Sequence, residues 1–163
     1  LRFGTLSGIE LGHHVTIHSH CWIQLLNGEN PDILPKLIIK DHASIGMNAT
    51  ISAAKKITIE EHVFTARNVY ISDHRHSYES IDLPISSQSI NSIKEVFIGS
   101  HTWLGQNAVV LPGVKIGKHC VIGANTVVNR SIPDYSVAVG IPARVFKKYD
   151  FDNRKWVAVP SDE

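Results

Sequence analysis

Long apolar runs are missing from this chain: its longest hydrophobic stretches are a few residues, far short of the ~20 that carry a helix across a bilayer. Cysteine is scarce. Cys21 and Cys120 are the only two, which excludes a disulfide framework and leads us to expect a reducing, cytoplasmic setting. No run of one charge stands out either, since 16 Lys and Arg balance 15 Asp and Glu for a formal net charge of +1. A nucleic-acid or anionic-membrane partner would call for a basic patch, so neither is expected. No stretch reads as a signal peptide. At 163 residues the chain suffices for one domain with a core of its own.

What is present is a repeat. The apolar series Leu11, Ile17, Ile23, Ile39, Ile45, Ile51, Ile59, Thr65, Ile71, Ile98, Leu104, Val110, Ile116, Ile122 and Val128 contains 14 intervals, of which 11 are six residues. A helix needs a period near 3.6 and a flat strand a period of 2, so six suits neither. Six residues fit a short strand and a corner, three such units making one coil of a solenoid. Four residues after most of these starters comes a second, smaller inward position, where Cys21 and Cys120 fall beside Ala43, Ala49, Ala108 and Thr126. As buried small hydrophobes the cysteines are poor nucleophiles. The 15 starters make five coils, which at the strand-pairing distance of ~4.8 Å build a prism on the order of 20–25 Å tall.

The intervals that break the period are 16, 8 and 27 residues, and they follow Ile23, Ile51 and Ile71. Each of these is the third starter of its coil, so all three insertions leave from one edge. The longest, residues 72–97, carries Asp73, His74, His76 and Tyr78. Insertions gathered on one edge of a repeat protein mark its working side.

Ten histidines invite a metal reading, but seven of them fall three residues after a starter, at the corners. The first corner reads His14, His42, His62, His101 and His119; the second reads His20, Asn48, Asn68, Asn107 and Asn125. His and Asn are enriched where a non-glycine residue must turn left-handed, so these are expected to be turn residues. The third corner reads Leu26, Ala54, His74, Gly113 and Ser131. His74 is the only histidine there, and the small residues Ala54 and Gly113 in the neighbouring coils are expected to leave a ligand room beside its imidazole. Asp73 is not expected to orient it, because neighbours on an extended segment point to opposite sides.

Three segments resemble a known family. SDHRHSYESIDLPI (72–85), IGSHTWLGQNAVVLPGVKIGKHCVIGANTVVNRSIP (98–133) and VGIPARVFKKYD (139–150) are similar, in this order, to the hexapeptide acyltransferases of the maltose, galactoside and polysaccharide O-acetyltransferase branch. The resemblance covers roughly residues 39–150. It implies an all-β, left-handed parallel β-helix of about five coils, occupying residues 1–150, with a long loop insertion at 72–97 and a short C-terminal tail at 151–163. It also implies a homotrimer with acetyl-CoA as acyl donor, no metal, and a sugar or cell-surface glycan precursor as acceptor. His74 then falls on the catalytic base. Trp103 borders the acyl-donor groove and the acceptor, a backbone N–H near Gln106 faces the oxyanion, Ala124 lines the path of the pantetheine arm, and Gly105 is a further residue of the acetyl-CoA site. Arg144 and Lys147 meet the nucleotide phosphates, and His76 and Tyr78 line the acceptor pocket. The maltose-type enzymes carry a helical N-terminal segment, whereas here the repeats begin at about Thr5, so the chain looks closer to the enzymes that act on surface polysaccharides or their precursors. An N-acetyltransferase for amino sugars, a zinc-dependent hydratase of the γ-carbonic-anhydrase type and a non-catalytic trimeric scaffold are the other readings.

Overall fold

A computed structural model of the protein describes residues 8–26 and 36–160. The first coil consists of β1 (Ile9–Leu11), β2 (Thr16–Ile17) and β3 (Trp22–Leu25); the second of β4 (Lys36–Ile39), β5 (Ser44–Ile45) and β6 (Thr50–Ala53); the third of β7 (Lys56–Ile59), β8 (Phe64–Thr65) and β9 (Tyr70–Ser72). Within the long insertion β10 (Arg75–His76) pairs antiparallel with β11 (Ile90–Asn91). The repeat resumes with β12 (Val96–Ile98), β13 (Trp103–Leu104) and β14 (Val109–Val110), then β15 (Lys115–Ile116), β16 (Val121–Ile122) and β17 (Val127–Val128). Strands of like position pair in parallel to form three faces: β1-β4-β7-β12-β15, then β2-β5-β8-β13-β16, and β3-β6-β9-β14-β17. This is a left-handed parallel β-helix. The five coils are followed by part of a sixth, in which Ile132 bridges to Ile116 and β18 (Ser136–Val139) pairs with β16.

The starters stack in columns along the axis. Ile39, Ile45, Ile59, Ile98, Leu104, Val110, Ile116 and Ile122 are wholly buried, each such side chain contributing about 1.5–3 kcal/mol of hydrophobic stabilisation. Leu11 departs from the expected inward pattern: it is in register with Ile39, yet 53% exposed. Among the described residues its column continues on one side only. The expected start of the repeats near Thr5 lies outside the described residues.

Buried hydroxyls are answered rather than avoided. Thr65 Oγ1 accepts the Gly46 N–H at 2.8 Å, and Thr102 Oγ1 donates to the Gly117 carbonyl at 2.9 Å. Cys21 and Cys120 are buried, as their inward positions required, and burial pushes the Cys120 thiol up from its ordinary value.

All ten residues of the first two corners have φ between 50° and 61°, the left-handed conformation anticipated for His and Asn. Their side chains then ladder along the prism. His14, His42, His62, His101 and His119 stack face to face with centroids 4.6–5.0 Å apart. Asn48, Asn68, Asn107 and Asn125 pass amide hydrogen bonds of 2.9–3.1 Å from coil to coil. Stacked rings face one another instead of converging on a point, and tetrahedral zinc needs convergence. Among the described residues no group of three His, Cys, Asp or Glu is placed to hold a metal ion.

The ladder makes a pH prediction. Burial, then the neighbouring His101 and Lys118, hold the His119 imidazole below its ordinary value. The unfolded chain therefore takes up this proton first, and stability falls as pH drops through about 6.5, levelling once the folded form also protonates. Thermal melts from pH 7.5 to 5.5 should show a decline that His119→Asn, which keeps the corner conformation, makes shallower. An unchanged slope would remove His119 from the account.

Chain beyond residue 150 is part of the sheet. β19 (Arg144–Asp150) pairs antiparallel with β18, and β20 (Lys155–Ala158) returns along β19. The Asp150 carboxylate closes the hairpin by accepting the N–H groups of Asp152 and Asn153, both at 3.0 Å. A division at residue 150 thus falls inside a hairpin, and the expected tail supplies a paired strand.

Candidate active site

His74 sits just past the end of β9, where the third corner opens into the insertion. The residue is 8% exposed, and Nδ1 lies 2.9 Å from Asp73 Oδ1. The expectation that Asp73 points away is therefore overturned. Alternation holds along a strand, but β9 ends at Ser72, and the turning backbone brings the two side chains together. Ser72 Oγ secures the turn by donating to the His74 carbonyl at 2.8 Å.

Asp73 is fully buried, and its carboxylate is saturated. Oδ1 accepts the Ala54 N–H at 2.7 Å as well as facing His74, while Oδ2 accepts the Lys55 and Lys56 N–H groups at 2.7 and 2.8 Å. The donors come from the turn between β6 and β7, which is where the eight-residue interval places its two extra residues. That insertion aims three backbone N–H groups at one carboxylate. With the fourth contact of this carboxylate made to Nδ1 at 2.9 Å, the other ring nitrogen, Nε2, is left free of it.

Space beside His74 is not where the small corner residues suggested. Ala54 is buried beneath the Asp73 turn, and the Gly113 face is covered by Lys94, whose Cβ and Cδ stand 3.2 and 3.1 Å from where a Cβ on Gly113 would be. The openings lie along the third face instead. One hollow of about 490 Å³ runs from His74 towards the first coil, past Tyr70, Ser52, Thr50, Gln24 and Trp22. A second, about 440 Å³, runs the other way, past Lys94, Leu111, Pro112 and Asn129. Arg75 and His76, on the β10–β11 arm, border both.

His76 thus reaches the site, but Tyr78 does not: it lines neither hollow and lies under the Arg75 guanidinium, 5.1 Å from ring centroid to Cζ. Trp103, Gly105, Gln106 and Ala124 belong to the second face and second corner, another edge of the prism. Trp103 is 46% exposed and in register with exposed Phe64. Gly105 has a packing role, since a Cβ there would stand 2.7 Å from the Ala124 backbone nitrogen. Overpacking of this kind costs about 1–3 kcal/mol, so Gly105→Ala should lower the melting temperature by several degrees whether or not acetyl-CoA is added. A variant that melts normally but loses acetyl-CoA binding would make Gly105 a ligand contact.

At the C-terminal end a third hollow of about 430 Å³ is lined by Arg130, Arg144 and Lys148 around Phe146. Lys147, expected beside Arg144, pairs with Val137 and Ala158 and is absent from that lining. Alternation along β19 puts Arg144, Phe146 and Lys148 on one face and Lys147 on the other. Arg130 and Lys148 had no distinguishing mark in the sequence, because both depend on how the hairpin folds over the last coil.

Residues 95–130 match the bacterial transferase hexapeptide family (six repeats). The chain is 35% identical over 126 residues to WbbJ of Escherichia coli K12, which is named for O-acetyl transfer in lipopolysaccharide biosynthesis; the match covers 74% of this chain and 64% of that one. The chain thus carries the repeat of the hexapeptide transferase family and is similar to acetyltransferases in it. Within it, a galactoside O-acetyltransferase of Lactococcus lactis is 41% identical over 101 residues, 62% of this chain and 47% of the relative. Thus the chain spans between about half and two thirds of these relatives. A hexapeptide-repeat acetyltransferase from Vibrio cholerae, solved with acetyl coenzyme A, superposes with a TM-score of 0.72 at 28% identity, over 86% of this chain and 71% of that one.

Proposed function

We propose that the protein transfers an acetyl group from acetyl-CoA to a hydroxyl of a sugar or polysaccharide precursor, with His74 as general base. The observation that carries this reading is the His74–Asp73 pair, buried on one side and open to two hollows on the other. Nε2 removes the proton of the acceptor hydroxyl as its oxygen attacks the thioester carbonyl. The tetrahedral intermediate expels CoA thiolate, which takes the proton back from His74. The C–O bond forms, the C–S bond breaks, and no covalent enzyme intermediate is required; the buried cysteines are consistent with that. The names of the relatives favour an oxygen acceptor on a glycan.

The nucleotide end of the donor is met by Arg144 with Arg130 and Lys148, whose charges suit phosphates. Oxyanion stabilisation by the backbone near Gln106, and donor contacts from Trp103 and Ala124, require those residues to come from a second copy, because within one chain they occupy a different edge from His74. A homotrimer, with sites between prisms, meets that requirement. The exposed Phe64–Trp103 pair supports such packing. Two free, buried cysteines favour a reducing cytoplasm as the compartment.

The test is release of free CoA thiol from acetyl-CoA with a panel of hexoses, amino sugars and nucleotide sugars. Acceptor-dependent release with an alkali-labile product is expected. An alkali-stable amide would move the reaction to nitrogen, and an absence of both release and acetyl-CoA binding would overturn the reading.

A further inference from the structure

We propose that the hollow on the first-coil side of His74 holds the acceptor as a pyranose ring lying on Trp22, which makes Trp22 a specificity-determining residue. This rests on the acetyl-transfer reading and specifies where its acceptor sits. Trp22 is 57% exposed, in a register row that continues through Thr50 to Tyr70. Two residues further along the same strands runs a polar row, Gln24, Ser52 and Ser72. That row ends at the turn that carries His74. An aromatic surface thus lies beside a line of hydrogen-bonding groups, and both lead to the base.

A pyranose has the same division, with C–H groups on a face and hydroxyls around the rim. Indole supplies a large, rigid apolar surface to such a face, and the Gln24 amide and Ser52 hydroxyl, which line the hollow, can satisfy the rim. Trp22 lies two coils from Tyr70, or roughly 10 Å at the strand-pairing distance. The opposite hollow suits the donor better. It contains Lys94 and reaches Asn129, whose neighbour Arg130 lines the basic hollow at the C-terminal end. A polyanionic donor finds cations along that route, whereas Arg75 is the only Lys or Arg that borders the first-coil hollow among the described residues.

The experiment compares wild type with Trp22→Ala and Trp22→Phe in two assays. In steady-state kinetics, Trp22→Ala should raise the acceptor KM at least tenfold and leave the acetyl-CoA KM within twofold, and Trp22→Phe should recover most of the loss. Saturation-transfer NMR with methyl α-D-glucopyranoside and methyl β-D-galactopyranoside should show binding to wild type that Trp22→Ala abolishes. Sedimentation of each variant should give the wild-type assembly. An unchanged acceptor KM with retained glycoside binding, a rise confined to the acetyl-CoA KM, or a change of assembly showing that Trp22 is an interface residue would each overturn the assignment. Trp22-dependent glycoside binding without acetyl transfer by wild type would instead overturn the reaction and leave the sugar site standing.

Discussion

Replacing His74 with alanine is expected to lower kcat/KM for acetyl transfer by about 10²–10⁴-fold, the range for loss of a positioned general base. The fold should survive the change. Asp73 keeps its three backbone donors from Ala54, Lys55 and Lys56, so it loses one partner of four, a cost of about 1–3 kcal/mol. Activity should therefore fall far more than the melting temperature. His74→Gln fills more of the same space without a basic nitrogen and should be as inactive as the alanine variant. Thiol-release kinetics beside thermal melts separate the two effects. Activity that persists in both variants would mean that another group removes the proton, and His76, which borders the same hollows, would be next to test.

The interior was legible because a six-residue period records inside and outside directly. The corners were legible too, since few residues besides Gly, Asn and His tolerate a left-handed φ. Leu11 was misleading because a repeat pattern does not show which inward positions are covered on both sides. His74 stood out by composition, as the only histidine in its corner. Asp73 did not, because strand alternation was extended two residues past the point where β9 stops. A usable signal existed: the two extra residues after Ile51 lie one coil from Asp73, and a turn there had to direct its N–H groups somewhere. The hollows depend on which coils stack beside one another across insertions of unequal length, so the row from Trp22 to Tyr70 appears only once register is known. Antiparallel pairing of β19 with β20 has no six-residue signature, and nothing in the repeat distinguished Lys148 from Lys147.

Asp73 yields the other large effect. Asp73→Ala removes every acceptor at the centre of a buried turn, leaving three backbone N–H groups without partners at about 1–3 kcal/mol each. That total is comparable with the whole stability of a small domain, so this variant is expected to unfold or to lose its β6–β7 turn. Asp73→Asn is the informative substitution. It retains one carbonyl oxygen for the turn but presents an NH2 group where the other oxygen met two contacts, and it has no charge to hold the imidazolium formed as the acceptor is deprotonated. A folded Asp73→Asn protein should bind acetyl-CoA normally while kcat falls by about 10²–10⁴-fold, because the tautomer with basic Nε2 is no longer enforced. Asp73→Glu distinguishes charge from position: it keeps the carboxylate but displaces it by a methylene in a site where all four contacts are 2.7–2.9 Å. Proton NMR of the imidazole provides a readout that a merely structural role would not move, since the Nδ1–H resonance should lie downfield in wild type and disappear in Asp73→Asn. If kcat is unchanged in a folded Asp73→Asn protein, the pair serves the turn alone, and His74 works without an orienting carboxylate.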